Sequence, residues 1–217
     1  MTIIVLAKAP VPGKVKTRLC PPCDPEQAAR LAEAALVDTL AAVVATPCDR
    51  RVLVLDGEPG RWLPAGFDVL RQRGGGLDER LAHAFTDVGA GGLLIGMDTP
   101  QLTPARLAAS LRALRARRVD AVLGPCVDGG WWGIGLRAPD PAVFLGVPMS
   151  TPHTGAAQHS QLHQLHLRTG ALPVMRDVDD FADAVAVART APCSRFAATL
   201  RPMLDQFQRR DEPLAVP

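Results

Sequence analysis

Thr2-Ile3-Ile4-Val5-Leu6-Ala7-Lys8-Ala9-Pro10-Val11-Pro12-Gly13-Lys14-Val15-Lys16-Thr17-Arg18-Leu19 opens the chain. Its apolar, β-branched start reads as a buried strand over Ile3 to Ala7. From Pro25 to Val44 the residues Ala28, Leu31, Ala35, Leu36, Thr39, Leu40 and Val43 form one helical stripe, with Asp24 placed to cap it. Strand, loop and helix in that order form a unit of a parallel sheet. The intervening loop, stiffened by two prolines and a glycine, crowds Lys8, Lys14, Lys16 and Arg18 together. Cations so placed repel one another unless an anion lies among them. Nucleotide phosphates suit the loop, because ammonium and guanidinium groups and the N–H groups of a helix start neutralise phosphoryl oxygens. Lys14, Lys16 and Arg18 are accordingly read as the catalytic charge clamp, and Ala7, Lys8, Ala9, Pro10 and Gly13 as nucleotide contacts. A solvated basic loop is the alternative.

The alternation continues outward. Further strands are expected at Arg51 to Leu55, Asp68 to Arg71, Gly92 to Gly96, Asp120 to Gly124, Trp131 to Leu136 and Leu172 to Asp177. Helices are expected over Leu77 to Val88 and from Thr103, a cap followed by Pro104, to about Arg117. Gln158 to Leu167, Asp180 to Arg189 and Ser194 to Arg209 follow, and Pro141 to Pro148 reads as a loop or short helix. The basic end of the third helix (Arg115, Arg117 and Arg118) complements its dipole. The pattern predicts an α/β fold with a mostly parallel central sheet. The 217 residues suit one domain, with a core over 2–189 and a C-terminal helix and polar tail over 190–217.

Lys plus Arg number 24 against 22 Asp plus Glu, a balance that argues against nucleic acid or a membrane surface as partner. No run approaches the roughly 20 apolar residues of a membrane span, and the N-terminus lacks the basic region and cleavage pattern of a secretion signal, so a cytoplasmic location is expected. The five scattered cysteines form neither a zinc set nor an even disulfide framework. Cys20-Pro21-Pro22-Cys23 has redox spacing, but a basic loop separates it from the strand and the helix starts only near Pro25. His159, His163 and His166 share a helix face without the acidic partner of a zinc peptidase and read as a polar face. There is no G-x-S-x-G elbow for a serine hydrolase.

Leu93-Leu94-Ile95-Gly96-Met97-Asp98-Thr99-Pro100 is an apolar strand ending in an acid, where open parallel sheets form their ligand crevice. Beside a phosphate loop, Asp98 suits Mg2+ or Mn2+, which take oxygen ligands from a few carboxylates and from substrate phosphates. The alternative is an Asp serving the following turn. In Asp177-Val178-Asp179-Asp180 one carboxylate completes the metal site while another caps a helix. Asp177 and Asp179 fall on one side of an extended segment, and the sequence does not choose between them. Gly124 to Gly135 holds Asp128, Gly129, Gly130, Trp131 and Trp132. Its glycines permit close approach and its tryptophans offer flat surfaces for the acceptor, or it is a turn between two strands with the tryptophans in the core. Gln72, Gly75, Gly76 and Arg80 surround a glycine-rich loop against which a nucleobase can lie.

In order, A-K-A-P-V-P-G-K-V-K-T-R-L, I-G-M-D-T-P, G-P-C-V-D-G-G-W-W-G-I-G-L and D-V-D-D resemble the bacterial DUF2064 family of glycosyltransferase-A-like transferases over residues 2 to about 189. That family is similar in fold to nucleotide-diphospho-sugar transferases, including the guanylyltransferases that act on phospholactate. The resemblance implies a Rossmann-like GT-A fold and a divalent metal. It also implies phosphate contacts at Lys14, Lys16 and Arg18, metal at Asp98 and an acceptor facing Asp128. Asp78, in place of a usual glycine, and the Trp131–Trp132 pair depart from the family pattern. The expected activity is metal-dependent transfer of a nucleotidyl group from a nucleoside triphosphate to a small phosphorylated acceptor. Pyrophosphate release develops charge that several cations stabilise. Glycosyl transfer from a nucleotide sugar and a non-catalytic nucleotide-binding module are the alternatives, and a homodimer is left open.

Overall fold

A computed structural model describes the backbone of residues 1–211 and side chains through Phe207; the end of the expected polar tail lies outside the described residues. The strands are β1 (Thr2–Lys8), β2 (Arg50–Asp56), β3 (Asp68–Arg71), β4 (Gly92–Gly96), β5 (Ala121–Pro125), β6 (Trp131–Leu136) and β7 (Thr169–Ala171). They form a seven-stranded sheet in the order β3-β2-β1-β4-β6-β5-β7. The helices are α1 (Pro25–Val44), α2 (Leu77–Val88), α3 (Pro104–Arg115), α4 (Thr154–Gln164), α5 (Phe181–Thr190) and α6 (Arg195–Asp211).

All strand pairs are parallel except those of β6, which runs antiparallel to β4 and β5. The reason is length. Only residues 126–130 join β5 to β6, enough for a hairpin, whereas a parallel return needs a crossover of a dozen residues or more. β1 is apolar from Ile3 to Ala7 because both faces are covered there. Ile3 and Val5 join Leu36, Leu40 and Leu107 of α1 and α3 on one face, and Ile4 joins Leu81 and Phe85 of α2 on the other. Phe85 stacks on Phe144 with centroids 5.4 Å apart.

Three expected boundaries move. α4 begins at Thr154, four residues before the expected Gln158, because the stripe there is short and Thr151 and Thr154 organise the entry through their hydroxyls. The expected strand Leu172 to Asp177 is replaced by the shorter β7 and a single bridge between Met175 and Cys126. Pro173 has no N–H to continue the ladder, although Leu172 and Met175 still donate to Leu123 and Pro125 at 2.9 and 3.0 Å. α3 stops at Arg115, and Arg137 of the neighbouring hairpin meets the Leu114 and Ala116 carbonyls at its end, where Arg117 and Arg118 were expected to act.

A third apolar cluster joins α1 to α5 and α6. The start of α6 is held from α1: Asp38 accepts from the backbone N–H of Arg195 and Phe196 at 3.1 and 2.8 Å, while Ser194 Oγ accepts from Ala197 N. Replacing Asp38 by Ala leaves two helix-start donors without their acceptor and is expected to destabilise the fold by about 1–2 kcal/mol, read by urea denaturation. An unchanged midpoint would show that water replaces the carboxylate at no loss.

Candidate active site

The strand order reverses at β1: the chain leaves it through α1 to β2 and β3 on one side, then crosses back through α2 to β4 on the other. Open α/β sheets bind ligands outside the carboxyl ends of strands at such a point. A cleft of about 730 Å³ lies there, and the loop after β1 and Asp98 after β4 both line it. The loop is built to turn sharply. Gly13 takes φ +73°, Lys14 N–H donates to Val11 at 3.0 Å, and Lys16 adopts the left-handed region at φ 51° before a single 3-10 turn, Thr17–Leu19. Lys8, Lys14, Lys16 and Arg18 all reach the cleft wall.

Four carboxylates stand among them: Asp98, Asp128, Asp177 and Asp179. The Val178 N–H donates to the Asp98 carbonyl at 2.9 Å, stitching the segment before α5 to the end of β4. Lys16 Nζ lies 2.8 Å from Asp98 Oδ1 and 3.7 Å from Asp179 Oδ1, and donates to the Val178 carbonyl. Arg18 lies 3.0 Å from Asp179 Oδ2. Asp177 is on the other side of the cluster, where burial first and the charges of Asp128 and Asp179 next push its carboxyl up to about 6. Cys126 Sγ and carboxylate oxygens of Asp128 and Asp177 lie within 4.8 Å of one another. Burial, followed by the charge of Asp177, raises the Cys126 thiol far above its usual range, so it stays neutral beside them.

This donor set fits a divalent cation. Clustered carboxylate oxygens, one of them buried beside two other acids, suit Mg2+ or Mn2+ far better than a soft metal. Asp98, Asp177 and Asp179 are the residues that could hold it, with Asp128 at hand.

Ala7, Gln72 and Arg80 also line the cleft, whereas Ala9, Pro10, Gly13, Gly75 and Gly76 do not. Ala9 is buried, its N–H bonded to the Asp56 carbonyl, and a side chain on Gly57 would collide with its Cβ. Gly75 N–H is taken by the Glu79 carboxylate at 2.6 Å, and Gly76 caps α2. Gln72 Nε2 donates to the Ala7 and Val54 carbonyls at 2.7 and 3.1 Å, tying the ends of β1 and β2, and Arg80 pairs with Asp56 at 3.2 Å. Asp78 accepts from Gly146 N–H at 3.2 Å.

In the β5–β6 hairpin the turn and cavity readings both describe the geometry. Asp128 Oδ1 accepts from Gly130 N–H at 2.8 Å, a turn contact, yet Asp128, Gly130 and Trp131 line the cleft. Gly129 does not. At φ +90° it faces the entry to α4, where a Cβ would lie 2.0 Å from the Pro152 carbonyl. Trp132 is core, its indole donating to Pro173 O at 3.0 Å.

The sequence reading missed the stretch Met149-Ser150-Thr151-Pro152 and Thr154, which close the cleft opposite the basic loop. The signal was present in the small hydroxyl residues before a helix, with Thr154 Oγ1 bonded to the Pro148 carbonyl at 3.0 Å. His159, His163 and His166 are exposed, and among the described residues no histidine joins a metal-competent cluster. Burial pushes the Cys23 thiol up to about 11, the reverse of a redox thiolate.

Comparison with known proteins agrees with this architecture. The family model "Uncharacterized protein conserved in bacteria (DUF2064)" matches residues 29–151. A phosphoenolpyruvate guanylyltransferase from Salinispora arenicola (strain CNS-205) is 32% identical over 195 residues, covering 87% of each chain. The crystal structure of a candidate nucleotide-diphospho-sugar transferase from Desulfovibrio desulfuricans G20 superposes with a TM-score of 0.83 at 27% identity, over 96% of this chain and 97% of that one. A Mycobacterium tuberculosis H37Rv protein, solved as a manganese complex, shares the fold with a TM-score of 0.51 at 21% identity, over 86% and 96%.

The raised Asp177 carboxyl makes a signed prediction. In metal-free protein it holds a proton that the unfolded chain has already released, so its contribution to stability is full below the ordinary carboxylate value and is lost as pH rises through about 6. Thermal denaturation in EDTA from about pH 4 to pH 7 should show this loss, reduced in Asp177→Asn and offset at neutral pH by added Mg2+. An identical pH slope in the variant would remove Asp177 as its source.

Proposed function

We infer that this chain, which belongs to the DUF2064 family, transfers a nucleotidyl group from a nucleoside triphosphate to a small phosphorylated acceptor. It is an enzyme of the transferase class. The observation that carries the finer reading is the confrontation of four cations and four carboxylates across one cleft at the sheet's reversal point. The cations suit a triphosphate, and the carboxylates suit the divalent ion that accompanies one.

An acceptor phosphate oxygen attacks the α-phosphorus, forming a new P–O bond. The bond from that phosphorus to the bridging oxygen breaks, and pyrophosphate leaves with the electron pair. Negative charge then grows on the β- and γ-phosphates, where Lys14 and Arg18 at the loop and Lys8 at the strand end stabilise it without having to reorganise. Asp98, Asp177 and Asp179 would hold a Mg2+ or Mn2+ ion, which when bound would supply charge neutralisation at the phosphoryl oxygens. Gln72 and Arg80 border the base end of the cleft, and the β5–β6 hairpin with Trp131 borders the acceptor end. The Salinispora relative supports GTP and phosphoenolpyruvate as the first donor and acceptor to assay.

With Mg2+, GTP and phosphoenolpyruvate, the protein is expected to release pyrophosphate and to be stabilised thermally by the triphosphate. Lys14→Ala is expected to weaken triphosphate binding about tenfold or more, the scale of one charge-assisted phosphate contact. Thermal stabilisation by nucleotide sugars alone would replace this reading by glycosyl transfer. Binding of nucleotide that is indifferent to metal would favour the non-catalytic module.

A further inference from the structure

The Lys16 ammonium is seated where a metal ion would have to arrive. Its side chain is only 10% exposed, although it comes from a loop whose neighbour Lys14 is open to solvent. Asp98 Oδ1 is closed off from solvent and accepts no hydrogen bond of good geometry among the described residues, while Lys16 Nζ stands 2.8 Å away as an ion-pair partner. Two further oxygens complete the seat: the Val178 carbonyl accepts from Nζ, and Asp179 Oδ1 lies at 3.7 Å. The backbone is unusual at this residue as well, since Lys16 holds the left-handed conformation at φ 51° that non-glycine residues adopt uncommonly. Among the described residues neither Lys8 nor Lys14 forms an ion pair with a carboxylate. Lys16 therefore differs from the other two lysines of the loop, and, unlike the exposed Arg18 that pairs with Asp179 alone, it is enclosed between two acids.

A divalent ion of the Mg2+ class binds a carboxylate oxygen at roughly 2.0–2.2 Å. An ammonium and a divalent ion drawn to the same Oδ1 would lie only about 4 Å apart and repel each other strongly, so metal binding there disfavours the Lys16 contact. We propose that Lys16 is an exchangeable internal cation, which neutralises Asp98 and Asp179 in the metal-free protein and is displaced from Asp98 when the metal binds. The displaced ammonium is then free to meet nucleotide phosphates in the same cleft. The exchange couples the two ligands. Metal releases the lysine for phosphate, and phosphate, by drawing the lysine away, opens Asp98 to metal; linkage requires the two effects to be equal. The inference rests on the reading of Asp98 as a metal ligand.

The test uses the intact protein and Mn2+ without nucleotide. Acylation of lysines, followed by mass spectrometry, reports whether Lys16 is covered in EDTA and uncovered by Mn2+. Its labelling rate should rise about fivefold or more, while that of Lys14 changes less than about twofold, the range of typical coupling. Mn2+ titration of variants gives the complementary measure. Lys16→Met should bind Mn2+ about tenfold more tightly than wild type, whereas Lys14→Met, which removes the same charge from the same loop without emptying the seat, should change affinity by less than about threefold. A Lys16 labelling rate unaffected by saturating Mn2+ overturns the exchange, as does equal tightening in the two variants. Mn2+ affinity unchanged by Asp98→Asn would instead overturn the metal reading on which the exchange depends.

Discussion

Charge balance across the cleft is the constraint on which the rest of the site depends. Lys16 and Arg18 on one side and Asp98 and Asp179 on the other would each be unfavourable so close to their own kind, and each set is tolerable because it faces the other. The compensation is incomplete. Among the described residues Asp177 and Asp128 pair with none of the loop cations, and Asp177, its carboxyl raised first by burial, is raised further by the charges of Asp128 and Asp179. The molecule thus carries two kinds of acid in one cleft, a pair already matched by resident cations and a pair that still calls for one.

The sheet makes this confrontation possible. β1 pairs in parallel with both β2 and β4, so the loop after β1 and the acid after β4 emerge side by side at one end. The antiparallel β6 then does something a parallel strand in its place could not. Running the opposite way, it brings its beginning to the same end of the sheet, and Trp131 and the Asp128 turn join the cleft there. A buried sheet with covered faces leaves only its strand ends for chemistry, and here strands of both directions present their functional ends together.

The fold was legible because its signals are local and repeat. The Asp24 cap, Pro104 at a helix start and the unbroken apolar run of β1 each have one structural meaning, and the elements form where those residues stand. The strand expected at Leu172 to Asp177 failed for a local reason as well, since apolar content outweighed Pro173 in the sequence reading while the missing N–H breaks the ladder in the fold. In the site, charged residues of the basic loop and the strand end were legible because charge has few structural uses in such a setting. Glycines were not. Gly129 and Gly75 answer to a carbonyl of Pro152 and a carboxylate of Glu79, contacts no local pattern reveals. The Ser150–Thr154 stretch escaped for the converse reason, being small and polar like any helix entry.

Asp177 and Asp179, equal in the sequence, differ in their partners. An extended segment sends both side chains to one side, and both do line the cleft, so alternation alone gives them equal standing. Val178 between them separates their roles. Its N–H is tied to the Asp98 carbonyl and its own carbonyl to Lys16, which pins the segment at its midpoint and sends Asp179 toward the basic loop and Asp177 toward Asp128 and Cys126. One acid therefore faces cations and the other faces acids. A divalent ion entering this cluster would relieve repulsion at Asp177, whereas at Asp179 it would meet Lys16 and Arg18 already in place.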